Sequence, residues 1–100
     1  MQLQPDSTLF ILQNISNQEL ATRADSAYYA LLMTQAKDQN CVLQTDDSLI
    51  RIAAYYYDAI GDIILQAKAH YYYGCVWRDK NNYPKAIVEY RKARTFAEEA

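Results

Sequence analysis

His70, the one histidine of the chain, opens a run of tyrosines, Tyr71-Tyr72-Tyr73. An imidazole titrates near neutral pH, so it is the first side chain to test for acid–base or metal chemistry. A general base needs a reacting group within hydrogen-bond reach, and the residues one helical turn away are Gln66 and Gly74, neither of them a nucleophile. Cys41 and Cys75 match no zinc or redox spacing, and a single histidine cannot complete a common metal site. Both cysteines read as free thiols, with a disulfide as the alternative. Asp46 and Asp47 suggest paired-carboxylate chemistry, but adjacent side chains on an extended link point apart, and both residues suit a helix start. His70 therefore reads as a packing residue, with no catalytic group, metal or cofactor expected.

Ten tyrosines are the chain's most unusual compositional feature, clustered as Tyr28-Tyr29, Tyr55-Tyr56-Tyr57 and Tyr71-Tyr72-Tyr73. Consecutive residues on a helix turn by about 100°, so one ring of a run can face a neighbouring helix while the next faces a groove or solvent. Such rings bury apolar area and keep a hydroxyl, which suits a binding surface. Lys85, Arg91, Lys92 and Arg94 form the one basic cluster, with Lys85 spaced to pair with Glu89. The net charge is -2, with two basic and six acidic residues in 1–50 against eight and six in 51–100. A mildly acidic first half argues against nucleic-acid contact.

The elements that must position these residues are helices. Two glycines and two prolines in 100 residues leave few interruptions, strand signals are nearly absent, and the length suits one domain. Pro5-Asp6-Ser7 can start a short leading helix over about 6–15, with Leu9, Ile11, Leu12 and Ile15 on its apolar side. Ser16-Asn17-Gln18-Glu19 reads as a capping box for a helix to about Lys37, with Leu20, Ala24, Ala27, Tyr28, Leu31 and Leu32 as a broad apolar surface. In the link that follows, Cys41-Val42-Leu43 is expected to tuck inward. Thr45, Asp46 and Asp47 can cap a helix from about Ser48 to Ala59, with Leu49, Ile52, Ala53, Tyr56 and Ile60 facing inward. Gly61 suits a left-handed helix end and Asp62 the next cap. No stretch approaches a membrane span and no signal peptide is evident, which leaves the cytoplasmic and periplasmic sides of the envelope both open.

From Ala67 onward two helical patterns are separated by Asn81-Asn82-Tyr83-Pro84. Ala69, Tyr73 and Trp77 recur every four residues in the first, and Ala86, Tyr90 and Ala93 at four and three in the second. So short a connection folds the helices back antiparallel. This stretch resembles the tetratricopeptide repeat, whose 34-residue pattern places small and large residues where Gly74, Trp77, Ala86, Tyr90 and Ala93 stand. His70 stands where tryptophan is commonest and Tyr73 where leucine is; Glu98 replaces a frequent proline, so the last helix can run on to the chain's end. A weaker repeat places Ser26, Tyr29, Ala30 and Met33 on its first helix and Leu49, Ala53 and Tyr56 on its second. The whole is also similar to the amino-terminal repeat region of tetratricopeptide proteins of Bacteroidetes, in which Asp-Ser-Leu-Ile-Arg-Ile-Ala and Ala-Lys-Ala-(His/Tyr)-Tyr-Tyr-Tyr-Gly recur.

The resemblance implies an all-α fold of antiparallel hairpins stacked as a short right-handed superhelix of about five helices. The leading helix precedes a weak repeat at about 17–60 and a strong one at about 63–98. It also implies a non-enzymatic scaffold that binds a protein or peptide on its inner surface, with structural self-association as the alternative and a small helical enzyme as a third reading. Carrying the family's inner positions over gives Lys68, Tyr71, Tyr72, Cys75, Arg78 and Asp79, with Ala24, Ala27, Tyr28, Leu31, Thr34 and Gln35 from the weaker repeat. Lys68 and Arg78 would receive an acidic group. His70, Tyr73, Gly74, Trp77, Ala86, Tyr90 and Ala93 would be the repeat's packing residues. Ile87, Tyr90, Arg94 and Phe96 would lie near an uncovered end, where a homodimer could form through terminal helices. No membrane contact is expected of this segment.

Overall fold

Between Arg23 and Gln39 neither glycine nor proline breaks the backbone, and Asp25 in the first turn and Lys37 in the last complement the helix dipole. The computed structural model describes residues 23–100, and over that span it is all helical: α1 Arg23–Gln39, α2 Ser48–Ile60, α3 Ile63–Asp79 and α4 Tyr83–Glu99. The leading helix expected at 6–15, the capping box at Ser16–Glu19 and Leu20 lie outside the described residues.

The helix ends fall where local chemistry puts them. Asp62 accepts from the Leu65 amide at 3.1 Å and Asn82 from the Lys85 amide at 3.3 Å, each satisfying a donor the helix leaves open. Asp46 accepts from the Ser48 amide at 2.9 Å, which holds its carboxyl below the usual range; Asp47, the residue before α2, makes no such capping bond. Three helices stop at a left-handed residue: Cys41 (φ 58°), Gly61 (φ 73°) and Asn81 (φ 62°). At Gly61 the bond runs from its amide to the Tyr57 carbonyl, 3.0 Å. At the other two, paired bonds close the turn: Val42 and Cys41 amides to Lys37 and Asp38 carbonyls, and Asn82 and Asn81 amides to Trp77 and Arg78 carbonyls.

The tight turn at 80–82 returns α4 antiparallel along α3. Gly74 marks the close crossing: a Cβ there would stand 2.6 Å from the Tyr90 ring and 3.2 Å from the Ala86 carbonyl oxygen. Ala86 and Ala93 are buried beside it, as the spacing predicts. Trp77 stacks on Tyr73 at 5.8 Å, and Lys80 and Lys85 both lie over its ring, at 4.4 and 4.5 Å. Lys85 is thus drawn to the indole and not to Glu89, the partner its spacing suggests.

α3 packs against each of the other three described helices. Its inner side joins a core of Ala27, Ala30 and Leu31 from α1, Ile50, Ala53, Ala54 and Tyr57 from α2, and its own Ala69, Tyr73 and Val76. Leu31, Ile50 and Val76 are among the largest fully buried side chains; each burial is worth about 1.5–3 kcal/mol. The abundance of alanine lets the helices approach closely. α2 is turned from its expected register. Ile50, Ala53, Ala54 and Tyr57 are buried, Leu49 and Tyr56 are half-buried against the core, and Ile52 and Ile60 are exposed. In the weaker repeat Ala30 and Met33 are buried and Ser26 and Tyr29 half-buried.

The 41–43 link also departs from expectation: Cys41, Val42 and Leu43 are exposed and Gln44 turns in. The Gln44 amide donates to Asp79 Oδ2 at 3.1 Å and its Nε2 to the Thr34 carbonyl at 3.3 Å. These two hydrogen bonds fix the residue that goes inside, and the left-handed turn at Cys41 swings the apolar pair outward. Both cysteines are free.

Replacing Gly74 with leucine sets about 1 kcal/mol of helix propensity gained against overpacking of about 1–3 kcal/mol. With the Tyr90 ring already inside contact distance, the second effect wins, and chemical denaturation should show a net loss. Cys41→Gly should do the reverse, since a non-glycine residue in this conformation costs about 1–2 kcal/mol. A raised denaturation midpoint with an unchanged slope is the expected outcome.

Candidate functional site: an aromatic groove and two buried polar clusters

Successive tyrosines on one helix step from solvent to core. Tyr71 is 46 % exposed, Tyr72 half-buried and Tyr73 8 % exposed; Tyr55, Tyr56 and Tyr57 repeat the gradient. Tyr71 and Tyr72 meet edge to face at 4.9 Å, and Tyr71 lies 5.7 Å from the Tyr90 ring on α4. These rings floor a groove of about 540 Å³ between α3 and α4, with Ala93 beneath and Lys68 and Arg94 at its edges. The Tyr90 hydroxyl donates to Cys75 Sγ at 3.6 Å; burial and that contact push its phenol pKa up. Arg94 pairs with Glu98 at 3.0 Å, whereas Lys68 has no ion pair among the described residues.

The structure brings Lys68, Tyr71 and Tyr72 together in the groove, with Cys75 buried beneath Tyr71 and Tyr90. Cys75 is fully buried and Leu31 is 1 % exposed, so both belong to the interior and not to an open surface. Ala27 and Thr34 are buried too, while Ala24 and Tyr28 are exposed. Arg78 lies ten residues beyond Lys68, roughly 15 Å along the helix. It pairs there with Asp38 at 2.9 Å and Asp79 at 3.2 Å, and Asp79 also holds the Gln44 amide. The second cation of the groove is Arg94. It sits one turn after Tyr90, a spacing that places both on one face of α4. Gln35 on α1 keeps a buried Oε1 without a hydrogen-bond partner among the described residues.

Phe96, expected at an uncovered end, stacks on His70 at 5.5 Å and is half-buried. Ile87 is exposed as expected, with Val88 beside it, and Tyr90 is half-buried in the groove.

Two polar clusters escaped sequence reading. In the first, Asp47 is 6 % exposed, accepts from the Tyr73 hydroxyl at 3.2 Å, and pairs with Arg51 at 2.7 Å and Lys80 at 3.4 Å. Burial alone would raise its pKa; hydrogen bonds from Arg51 and Tyr73 and the charge of Lys80 hold it below the ordinary value. In the second, His70 is 4 % exposed between two carboxylates. Nδ1 lies 2.5 Å from Glu89 Oε2, and Nε2 lies 2.8 Å from Asp58 Oδ1. Gln66 Nε2 donates to the same Asp58 oxygen at 3.2 Å, and Lys92 reaches Glu89 Oε1 at 3.5 Å. Burial pulls the imidazole pKa down, but hydrogen bonds to Glu89 and Asp58 and their charges outweigh it, leaving the pKa raised. The sequence carried one signal of this cluster: Glu89 falls within the apolar stripe of Ala86, Tyr90 and Ala93, where an acid needs a buried partner.

Among the described residues no group of His, Cys, Asp and Glu is arranged to hold a metal, and no helix is long and apolar enough to cross a membrane. Comparison with known proteins finds no matching family model, and no significantly similar chain among curated proteins or solved structures.

Asp47→Ala should cost about 1–3 kcal/mol, because it strands the nearly buried Tyr73 hydroxyl while Arg51 and Lys80 regain water. A depressed folded pKa gives stability that is present above the unfolded value and lost as the pH falls through the folded one. Acid titration of the denaturation midpoint should therefore fall less steeply in the variant than in the wild type.

Proposed function

We propose that this chain is a tetratricopeptide-like module that binds a peptide or protein segment. The groove between α3 and α4 carries the reading: an open floor of Tyr71, Tyr72 and Tyr90 rings, with Lys68 and Arg94 at its edges. Such a floor accepts apolar side chains, phenol hydroxyls offer polar contacts, and an ammonium without an ion pair among the described residues suits an acidic group. Two antiparallel hairpins joined through α3 support the right-handed superhelix of the family. On this reading the protein is a scaffold and not an enzyme.

Self-association is the second reading, favoured by Ile87 and Val88, which stand 49 % and 50 % exposed on α4. One experiment separates the two. Acidic amphipathic peptides are titrated into labelled protein and read by chemical-shift mapping, with sedimentation of the same samples. Groove binding should shift residues around Lys68, Tyr71 and Arg94. Tyr71→Ala should weaken affinity roughly 5- to 30-fold, about 1–2 kcal/mol, without altering the fold. Shifts confined to Ile52, Tyr55 and Ile60 on α2 overturn the groove. Concentration-dependent dimers with no peptide response favour self-association.

A further inference from the structure

Hydrogen-bond counting at His70 leads beyond binding. A neutral imidazole has one N–H and one lone pair; only the protonated ring donates from both nitrogens. Here both nitrogens face carboxylate oxygens, Nδ1 toward Glu89 and Nε2 toward Asp58. With both carboxyl groups ionised, this geometry is satisfied only by the imidazolium, one positive charge shared by two negative ones. The three residues stand on three helices: Asp58 on α2, His70 on α3 and Glu89 on α4. We propose that His70, as an imidazolium shared by Asp58 and Glu89, is a protonation-dependent staple that fastens the α1–α2 hairpin to the α3–α4 hairpin and loosens that junction when the proton leaves to solvent.

The place where the staple gives way follows from the neighbours. Once neutral, the ring can donate to one carboxylate only, and its other nitrogen turns a lone pair toward the second. Glu89 is the closer and more buried partner, its side chain 10 % exposed, with Lys92 on its far oxygen. The Asp58 side chain is 43 % exposed and keeps Gln66 and water as alternatives. The ring therefore stays with Glu89 and releases Asp58. The α3–α4 hairpin remains closed, held also at Gly74, and the junction opens toward α2. Among the described residues the charged groups facing the ring are Asp58 from α2 and Glu89 from α4, with Lys92 behind Glu89; from α3 itself comes Gln66. On the α1 side, α3 meets apolar Ala27, Ala30 and Leu31. The Phe96 ring stacks on the imidazole and limits its rotation.

The direction with pH is set by linkage. A histidine whose folded pKa is raised stabilises the fold fully below its unfolded pKa, and the contribution disappears as the pH climbs through the folded value. Stability from this cluster should therefore fall toward alkaline pH, opposite in sign to the Asp47 cluster.

A single histidine makes the test clean. Ring resonances of His70 followed by NMR should titrate above the ~6.5 of a free imidazole, and Asp58→Asn, at a half-exposed position, should lower that midpoint. The thermal midpoint of the wild type should drop by a few degrees as the pH rises through the His70 titration. His70→Phe and Asp58→Asn should show a smaller drop over the same interval. Hydrogen-exchange protection, corrected for intrinsic rates, should fall in the last turn of α2 before it falls in α4. A His70 midpoint at or below ~6.5, wild-type and Asp58→Asn stability curves that fall in parallel, or protection that fails first in α4 would each overturn the staple.

Discussion

The close crossing at Gly74 is the constraint on which the rest of the structure depends. A missing side chain brings the α4 backbone near enough to α3 for the Tyr90 ring and the Ala86 carbonyl to occupy the space a Cβ would need. That proximity makes the Tyr71–Tyr90 contact possible and gives the groove its floor. It also brings Glu89 within reach of His70 and Phe96 onto the imidazole. A larger residue at 74 would spread the hairpin, and each of these contacts would lengthen together. Packing interfaces behave in this all-or-none way because their interiors are dense.

α3 is pinned by charge at two places along its length. At Tyr73 and in the turn after Asp79, Asp47 gathers the phenol, Arg51 and Lys80; nearer its start, Asp58 and Glu89 hold His70. Both clusters join α2 to the second hairpin. Half of the adjoining core is alanine, and small side chains alone specify relative orientation weakly. Buried polar contacts have few acceptable geometries, so they can fix what the alanines leave loose. The two clusters respond to pH in opposite directions, which centres the stability of the junction between the carboxylate and imidazole ranges.

The tyrosines show how one residue type can serve both the core and the surface. Within a run, rotation of about 100° per residue carries Tyr73 into the core, leaves Tyr72 at the boundary and puts Tyr71 on the surface. The inner ring can bury its body only because Asp47 accepts its hydroxyl. The outer ring stands exposed at the groove. Lys68 adds a charge at the groove that no ion pair among the described residues neutralises.

What the sequence determined by itself was local. The helix spans from Ser48 onward, the caps at Asp62 and Asn82, the left-handed end at Gly61, the α3–α4 hairpin and the crossing at Gly74 all follow from short-range periodicity and turn chemistry. What only the tertiary structure decided were choices between locally equivalent answers. α2 carries Ser48, Arg51, Tyr55 and Asp58 on one polar stripe, so periodicity pointed to the opposite face around Leu49, Ala53 and Ile60; contact with α1 and α3 turned the helix to bury Ile50, Ala54 and Tyr57 instead. The link at 41–43 turned outward because Gln44 found Asp79 and Thr34, partners distant in sequence. Arg78 found Asp38, forty residues away, and Glu89 took His70 and not Lys85. Charges have long reach and little sequence signature, so their partners are fixed only once the chain has folded.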